Sequence, residues 1–447
     1  MKFNLVYIPI GVGTFHMESA QKLFEESKAL LRTLEPQCTV PQKPLLTVQE
    51  LSSYLEEVNP DLIILQNLTF ANAAYTTEVV KRFSCPILLW TLREPVIDGG
   101  RLRLNSLTGA FSAANAIKNF RGINHQFEHL LALPTEKVAK SVLKRTIRVA
   151  KLKNQLSSLK LGLVGHTPQG FGFGQALDAE LTRTFGCTLD SIEARELILR
   201  AKSYTADEIL PYIEKAKSKV NGLDSIPDEN VLNFAKLYKA YSEYVKNNGI
   251  MALASRCWPD FFVDFGTPVC AVLSLLNEEG VVASCEADIY GALSMYIASE
   301  LSEHGVFFGD PVSLNEEENS LTFWHCGMAD CSLARTDTGA AVGVHPNRKI
   351  GPTMEFGCRP SESATVFRVG RTAQGDFRLF IASGKILDKP KQFLGTTLVV
   401  KLKTDAKDLV HTAITDGWEP HFVVAYGDIA EELVALGKML SIQTRRF

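Results

Sequence analysis

Short, wholly apolar runs separated by helix-periodic segments constrain this chain more than any other feature. Asp61 to Leu65 reads Asp-Leu-Ile-Ile-Leu and Cys85 to Trp90 reads Cys-Pro-Ile-Leu-Leu-Trp, with the helix-like Thr76 to Phe83 between them. A strand that is apolar at every position has both faces covered, as in a parallel sheet flanked by helices. Residues 3 to 10, the turn Gly11-Val12-Gly13 and the segment Met17 to Leu34, with Leu23, Leu30, Leu31 and Leu34 at helical spacing, open this pattern as a βα unit. A second α/β unit begins at Leu161-Gly162-Leu163-Val164-Gly165, runs through helical segments 206–220 and 228–247, and adds a buried strand at Ile250 to Ala254. From 319 to 402 the pattern changes to short β-rich runs broken by Gly, Pro and Asn, which predicts an antiparallel sheet or small barrel. A strand at Phe422 to Gly427 and a helix from Asp428 to Leu440 close the chain.

A chain of 447 residues exceeds one ordinary core, so two or three domains are expected, with a boundary near residue 155. The net charge of −3 gives no concentrated positive field, which argues against nucleic acid and for a small-molecule partner. The basic helix at Thr135 to Lys160 keeps an inward face of Val138, Val142, Leu143, Ile147 and Val149, and reads as a solvated connecting helix. Nine cysteines, odd in number and set in apolar runs, predict buried thiols in a reducing compartment. Cys326 and Cys331 form a close pair, but without a second pair a zinc site is weakly supported. The N-terminus enters a strand at once, without the pattern of a signal peptide, and no apolar run approaches the length of a bilayer span. A cytoplasmic protein without membrane contact is the expectation.

Two glycine-bearing turns invite a nucleotide reading, and neither supports it. After Gly11-Val12-Gly13, His16 stands where the third glycine of the dinucleotide fingerprint would be. Thr14, Phe15 and His16 remain candidates to face a ligand from a strand's carboxyl end. The loop His166 to Gly174 lacks the Gly-Lys-Ser/Thr ending of a phosphate loop, and is expected to serve close packing or contact with a sugar. Arg256 and Trp258, just past the strand at 250–254, are placed to line a cleft.

The chemistry concentrates in the second half. The run Val281 to Ala292 delivers Glu286 to the start of an amphipathic helix, and Phe307 to Pro311 delivers Asp310 to the lip of a turn. His325 lies in Phe323-Trp324-His325-Cys326-Gly327, and His421 in Gly417-Trp418-Glu419-Pro420-His421-Phe422. Each has an ordinary structural reading: a helix N-terminus for Glu286, a turn for Asp310, a hydrogen-bonded ring for each histidine. Together, two carboxylates and one or two imidazoles at strand ends suit a divalent cation of the Mn²⁺ type with positions open for substrate.

These segments resemble the L-fucose isomerase and L-arabinose isomerase superfamily: Cys285 to Ala292, Phe308-Gly309-Asp310, Trp324 to Gly327 and Trp418 to His421 carry the likeness. Leu89 to Pro95, Leu107 to Ala110 and Val164-Gly165-His166 extend it into the first half. The resemblance implies an α/β protein of two Rossmann-like open-sheet domains followed by a β-rich, barrel-like C-terminal domain. The divisions are 1–155, 156–305 carrying Glu286, and 306–447 carrying Asp310, His325 and His421. It implies Glu286, Asp310 and His421 as ligands of Mn²⁺ or a similar ion, and Glu286 and Asp310 as the catalytic pair. His325 matches a ligand position of the arabinose-type enzymes. Trp258, Arg256, His16 and Trp324 are the candidates for substrate contact. The implied activity is aldose–ketose isomerisation of a pentose, a 6-deoxyhexose or a related substituted sugar, in a homo-oligomer, a trimer or hexamer. Pro420 stands where a sugar-touching polar side chain is expected, which leaves the sugar open. A metal-dependent hydrolase or aldolase, or a sugar-binding regulator without turnover, are the alternatives.

Overall fold

The computed structural model describes residues 3–302 and 304–447. They divide into two compact units, one of residues 1–155 with 434–441 and the other of 156–433 with 442–447.

In the first unit, β1 (Leu5–Ile10), β2 (Leu62–Asn67), β3 (Ile87–Thr91) and β4 (Glu128–Leu131) form a parallel sheet in that order. Thr39 and Leu45 bridge in parallel to Val6 and Ile10, so the stretch 39–45 lines the free edge of β1. Helices α1 (Met17–Leu34), α2 (Val48–Glu56), α3 (Ala73–Arg82), α4 (Ser106–Arg121) and α5 (Lys137–Leu156) link the strands and lead out of the sheet. Strands β1, β2 and β3 are buried at every position, because one cluster around Leu5, Tyr7, Leu62 and Trp90 and another around Val6, Ile8, Ile63 and Leu89 cover opposite faces. This is the physical content of the apolar runs. Val138, expected on the inward face of α5, is 46% exposed instead, since it lies in the helix's first turn.

The second unit opens with another parallel sheet, made from β5 (Lys160–Val164), β6 (Thr188–Ile192), β7 (Ala252–Ser255) and β8 (Val282–Ser284) in the order β6-β5-β7-β8. The order reverses at β5, which leaves a crevice outside the carboxyl ends of β5 and β7. Helices α6 (Asp178–Phe185), α7 (Ala194–Ser203), α8 (Ala206–Lys217), α9 (Asp228–Asn248), α10 (Asp260–Asp264), α11 (Cys270–Glu278) and α12 (Ile289–Ser302) connect these strands or follow them.

A barrel comes next. Strands β9 (Val306–Asn315) and β10 (Ser320–His325) precede three two-residue strands, β11 (Val342–Gly343), β12 (Thr353–Met354) and β13 (Phe356–Gly357). Then come β14 (Ser361–Arg371), β15 (Phe377–Ile386), β16 (Thr396–Leu402), α13 (Ala406–Thr415), β17 (Phe422–Tyr426), α14 (Ala430–Leu440) and β18 (Gln443–Arg446). Antiparallel pairing runs β16-β10-β9-β17-β14-β15 and closes when β15 pairs with β16 again. Closure leaves no open edge among these six strands, as a small barrel requires. Helix α12, buried along most of its length, packs on β14 and β17 from one side and on β7 and β8 from the other, joining sheet and barrel. Among the described residues no helix is long and apolar enough to cross a membrane.

Candidate active site

The site forms where the β8–α12 connector meets the middle of β9, the end of β10 and the start of β17. Strand β8 is only three residues long, and the chain must turn sharply to enter α12. It does so with Glu286 and Ala287 both left-handed, at φ 54° and 55°. This conformation costs an L-residue about 1–2 kcal/mol. The backbone is held there by the Ala287 N–H donating to Ser255 O at the end of β7 (2.9 Å), and by the Ser284 hydroxyl donating to Asp288 O (2.8 Å). The turn aims the Glu286 carboxylate away from the sheet and toward the barrel.

Glu286 Oε2 lies 3.3 Å from Nε2 of His325 at the end of β10, and 3.8 Å from Nε2 of His421 just before β17. Asp310, expected at the lip of a turn, lies instead within β9, which continues in its ladder with β10 to Asn315, and it brings Oδ1 to 3.5 Å from the same His421 nitrogen. The structure therefore gathers Glu286, His325, His421 and Asp310 from four separate segments. Both histidines are almost wholly buried, and Asp310 keeps about a third of its side chain open (32%).

Asp288 positions His421. Its Oδ2 is 2.9 Å from His421 Nδ1, so this imidazole turns Nε2 toward the two acids. The fully buried Arg368 of β14 donates to both oxygens of Asp288, at 2.5 and 3.1 Å, and the Gly291 N–H adds a bond to Oδ1 at 2.8 Å. Space is tight here: a Cβ on Gly174 would stand 2.8 Å from Asp288 Cα, and one on Gly291 would stand 2.6 Å from the Phe308 ring. Close packing is thus one role of the loop at 166–174. Its other residues give the site a wall, with the Phe173 ring centroid 5.3 Å from that of His421, Phe171 at 6.3 Å, and Phe308 on β9 at 4.8 Å.

Electrostatics separate the acids. Burial alone would raise the Glu286 carboxyl, but the charges of His325 and His421 outweigh it and hold the group below its ordinary value. Burial raises Asp310, and the histidines offset this only in part. Asp288 is held far down, because Arg368 and His421 overcome its burial. A layer of thiols backs the site: Cys257 donates to Glu286 Oε1 at 3.5 Å, Cys326 sits 3.4 Å from His325 Nδ1, and Cys270 sits 3.8 Å from Cys326. Cys331 contacts Ser274 instead, so Cys326 and Cys331 do not form a pair.

The donor set fits a divalent ion by two observations. Glu286, His325 and His421 offer ligand atoms that all lie within 4.8 Å of one another. Glu286 Oε2 is buried and has no hydrogen-bond partner among the described residues, though it faces both imidazoles. An orphaned buried carboxylate oxygen is costly unless something else fills its coordination.

The remaining sequence candidates fall in different places. Trp258 packs edge-on against Phe171 at 6.0 Å. Arg256 bonds its Nη1 to the His166 ring and pairs its Nε with Asp260. Trp324 stacks on His325 at 6.2 Å and donates its indole N–H to Leu394 O. His16 belongs to the first unit, where it caps α1 by accepting from the Ser19 N–H. Asp288 and Arg368, which hold the His421 ring in this arrangement, were not among the sequence candidates. The available signal was an arginine interrupting the apolar run Ala364 to Val369.

Residues 353–446 match the family described as L-fucose isomerase, C-terminal domain, a region that includes His421 and Arg368. Over its full length the chain is similar to curated proteins named sulfoquinovose isomerase. It is 57% identical over 442 residues to that of Clostridium sp. (strain MSTE9), covering 99% of this chain and 98% of the relative. It is 38% identical over 446 residues to that of Priestia aryabhattai (99% and 98% covered), and 38% over 442 residues to that of Alkalicoccus urumqiensis (98% of each).

Proposed function

We propose that this chain, which belongs to the L-fucose isomerase-like family and is an aldose–ketose isomerase, acts on a sulfonated 6-deoxyhexose, sulfoquinovose, and forms the corresponding 2-ketose. The substrate is taken from the names of the full-length relatives. The observation that carries the chemistry is the approach of both Glu286 and Asp310 to His421 Nε2, at 3.8 and 3.5 Å.

Aldose and ketose differ by one proton between C1 and C2 and one between their oxygens, so the site needs a base, an acid and a way to hold negative charge. Glu286 is read as the base at one carbon and Asp310 as the acid at the other, the roles exchanging in the reverse direction. Glu286, His421 and Asp310, with His325 beside them, would hold a cation of the Mn²⁺ type, which when bound supplies Lewis-acid stabilisation of the charge developing on the sugar oxygens. Asp288 keeps His421 in one tautomer and orientation, as a carboxylate behind a metal-binding imidazole does. Phe171, Phe173 and Phe308 exclude water from the proton path. Both parallel sheets are read as Rossmann-like, and the molecule as a cytoplasmic homo-oligomer, a trimer or hexamer.

The test is incubation of the Mn²⁺-loaded protein with sulfoquinovose and a panel of pentoses and 6-deoxyhexoses, following ketose formation. Conversion of other sugars but not of sulfoquinovose would overturn the substrate. Glu286→Gln, which keeps size and shape, is expected to lose turnover by at least about a hundredfold, the scale of one acid–base group. An active variant with normal metal content would remove Glu286 from the role.

A further inference from the structure

The aromatic wall does not end at the proton-transfer site. From His421 it continues through Phe171 to Trp258, whose ring centroids are 6.0 Å apart. At the far end of this wall the Arg348 guanidinium lies over the Trp258 ring at 5.4 Å and over the Phe262 ring at 4.9 Å. Trp258 is half-buried and Arg348 exposed, so that end of the wall is open to solvent.

The loop carrying Arg348 is fastened in place. His345 is buried, its N–H donates to Ile350 O, and its carbonyl accepts from the Lys349 N–H, both at 2.9 Å. Its Nδ1 accepts from the Asn347 N–H at 3.3 Å, and its ring stands edge-on to Phe262 at 5.2 Å. The buried turn thus holds Arg348 over two aromatic faces.

Charge bookkeeping separates Arg348 from its neighbour. Arg256, two residues before Trp258, has its charge met by Asp260 and an N–H taken by His166. Arg348 has no carboxylate partner among the described residues, and contact with aromatic faces leaves the N–H fork unsatisfied. A planar fork of this kind matches the oxygens of a tetrahedral anion.

We infer that Arg348 is the specificity-determining anchor for the anionic group at the end of the sugar remote from C1 and C2, with Trp258 as the platform that positions it. This rests on the sulfonated-hexose reading above. The sugar chain then lies along Phe171 and Trp258, with the reacting carbons at Glu286 and Asp310 and the sulfonate at the guanidinium. The site selects for a substituted sugar by charge at one end, while the chemistry at the other end stays that of a simple aldose.

The experiment compares wild type, Arg348→Gln and Arg348→Lys, all Mn²⁺-loaded, with sulfoquinovose as substrate and inorganic sulfate as competitor. Loss of a charged hydrogen-bond pair predicts a KM for Arg348→Gln raised roughly ten- to a hundredfold, with kcat within about threefold of wild type. Sulfate is expected to inhibit wild type competitively and Arg348→Gln far less, and Arg348→Lys is expected to recover part of the affinity. The melting temperature is expected to stay unchanged, since the side chain is exposed. If wild type converts sulfoquinovose but Arg348→Gln keeps KM within about twofold, or loses kcat rather than KM, the anchor is overturned and the substrate stands. If wild type converts other sugars but not sulfoquinovose, the substrate reading and the anchor both fall.

Discussion

Arg368 is a full positive charge with no exposed surface, and Asp288 is the partner that makes this tolerable. The same carboxylate fixes His421 through Nδ1, so one residue serves both the stability of the barrel–helix junction and the orientation of this imidazole. Asp288→Asn removes the charge while keeping the shape. It would leave Arg368 buried without compensation, and the expected loss is about 3–5 kcal/mol in urea unfolding. A variant within 1 kcal/mol of wild type would mean that water reaches the guanidinium. At this scale the sequence was partly legible. The four polar residues could be picked out because a polar group after an apolar run stands out from its neighbours, although Asp310 proves to lie within β9 and not at its end. Arg368 was not picked out, because its partner lies 80 positions away on another element and no local pattern connects them.

At the scale of elements, the junction between α11 and the loop after β10 carries a second, quieter pair of acids. Asp330 caps the turn at Cys331–Leu333 by accepting from the Ser332 N–H at 2.8 Å, and Glu278 at the end of α11 accepts from the same N–H at 3.0 Å. Burial, reinforced by Glu278, pushes Asp330 up to about 6. An acid raised on folding holds its proton in the native state over a range in which the unfolded chain has released it. Stability therefore falls as pH rises from the ordinary aspartate value toward about 6, and the cost persists above that. Asp330→Asn keeps the cap and removes the like charge, so it should gain roughly 1–2 kcal/mol at pH 7 and nothing near pH 4. Equal gains at both values would show that the effect is not the titration. Element boundaries were legible where strands are buried on both faces, as in β2 and β3, whose apolar runs leave no other reading. Strand β6, Thr-Leu-Asp-Ser-Ile at the sheet's edge, was not. An edge strand has one side in water, and its mixed composition looks like a loop.

For the molecule as a whole, the decisive fact is that the barrel closes. Sequence pattern identifies the β-rich runs, but the return of β15 onto β16 depends on how the strands curl, which local composition does not encode. Closure brings the middle of β9, the end of β10 and the entry to β17 to the connector after β8, so the four candidate ligands come from both the sheet and the barrel of one unit. A cation held by them would act as a cross-link within that unit, adding stability only to the states in which sheet and barrel remain docked. At a free Mn²⁺ concentration about a hundred times its Kd, binding contributes about 2.7 kcal/mol, enough to slow amide exchange through such openings about a hundredfold. Hydrogen exchange on chelator-treated protein, before and after Mn²⁺ is restored, is therefore expected to show protection in β8, α12, β9, β10 and β17. Strands β1 to β4, in the unit that contributes none of these ligands, are expected to exchange at the same rate in both states. Protection spread evenly over both units would point to an effect on the whole assembly, and no protection at the β8–α12 connector would remove Glu286 from the ligand set.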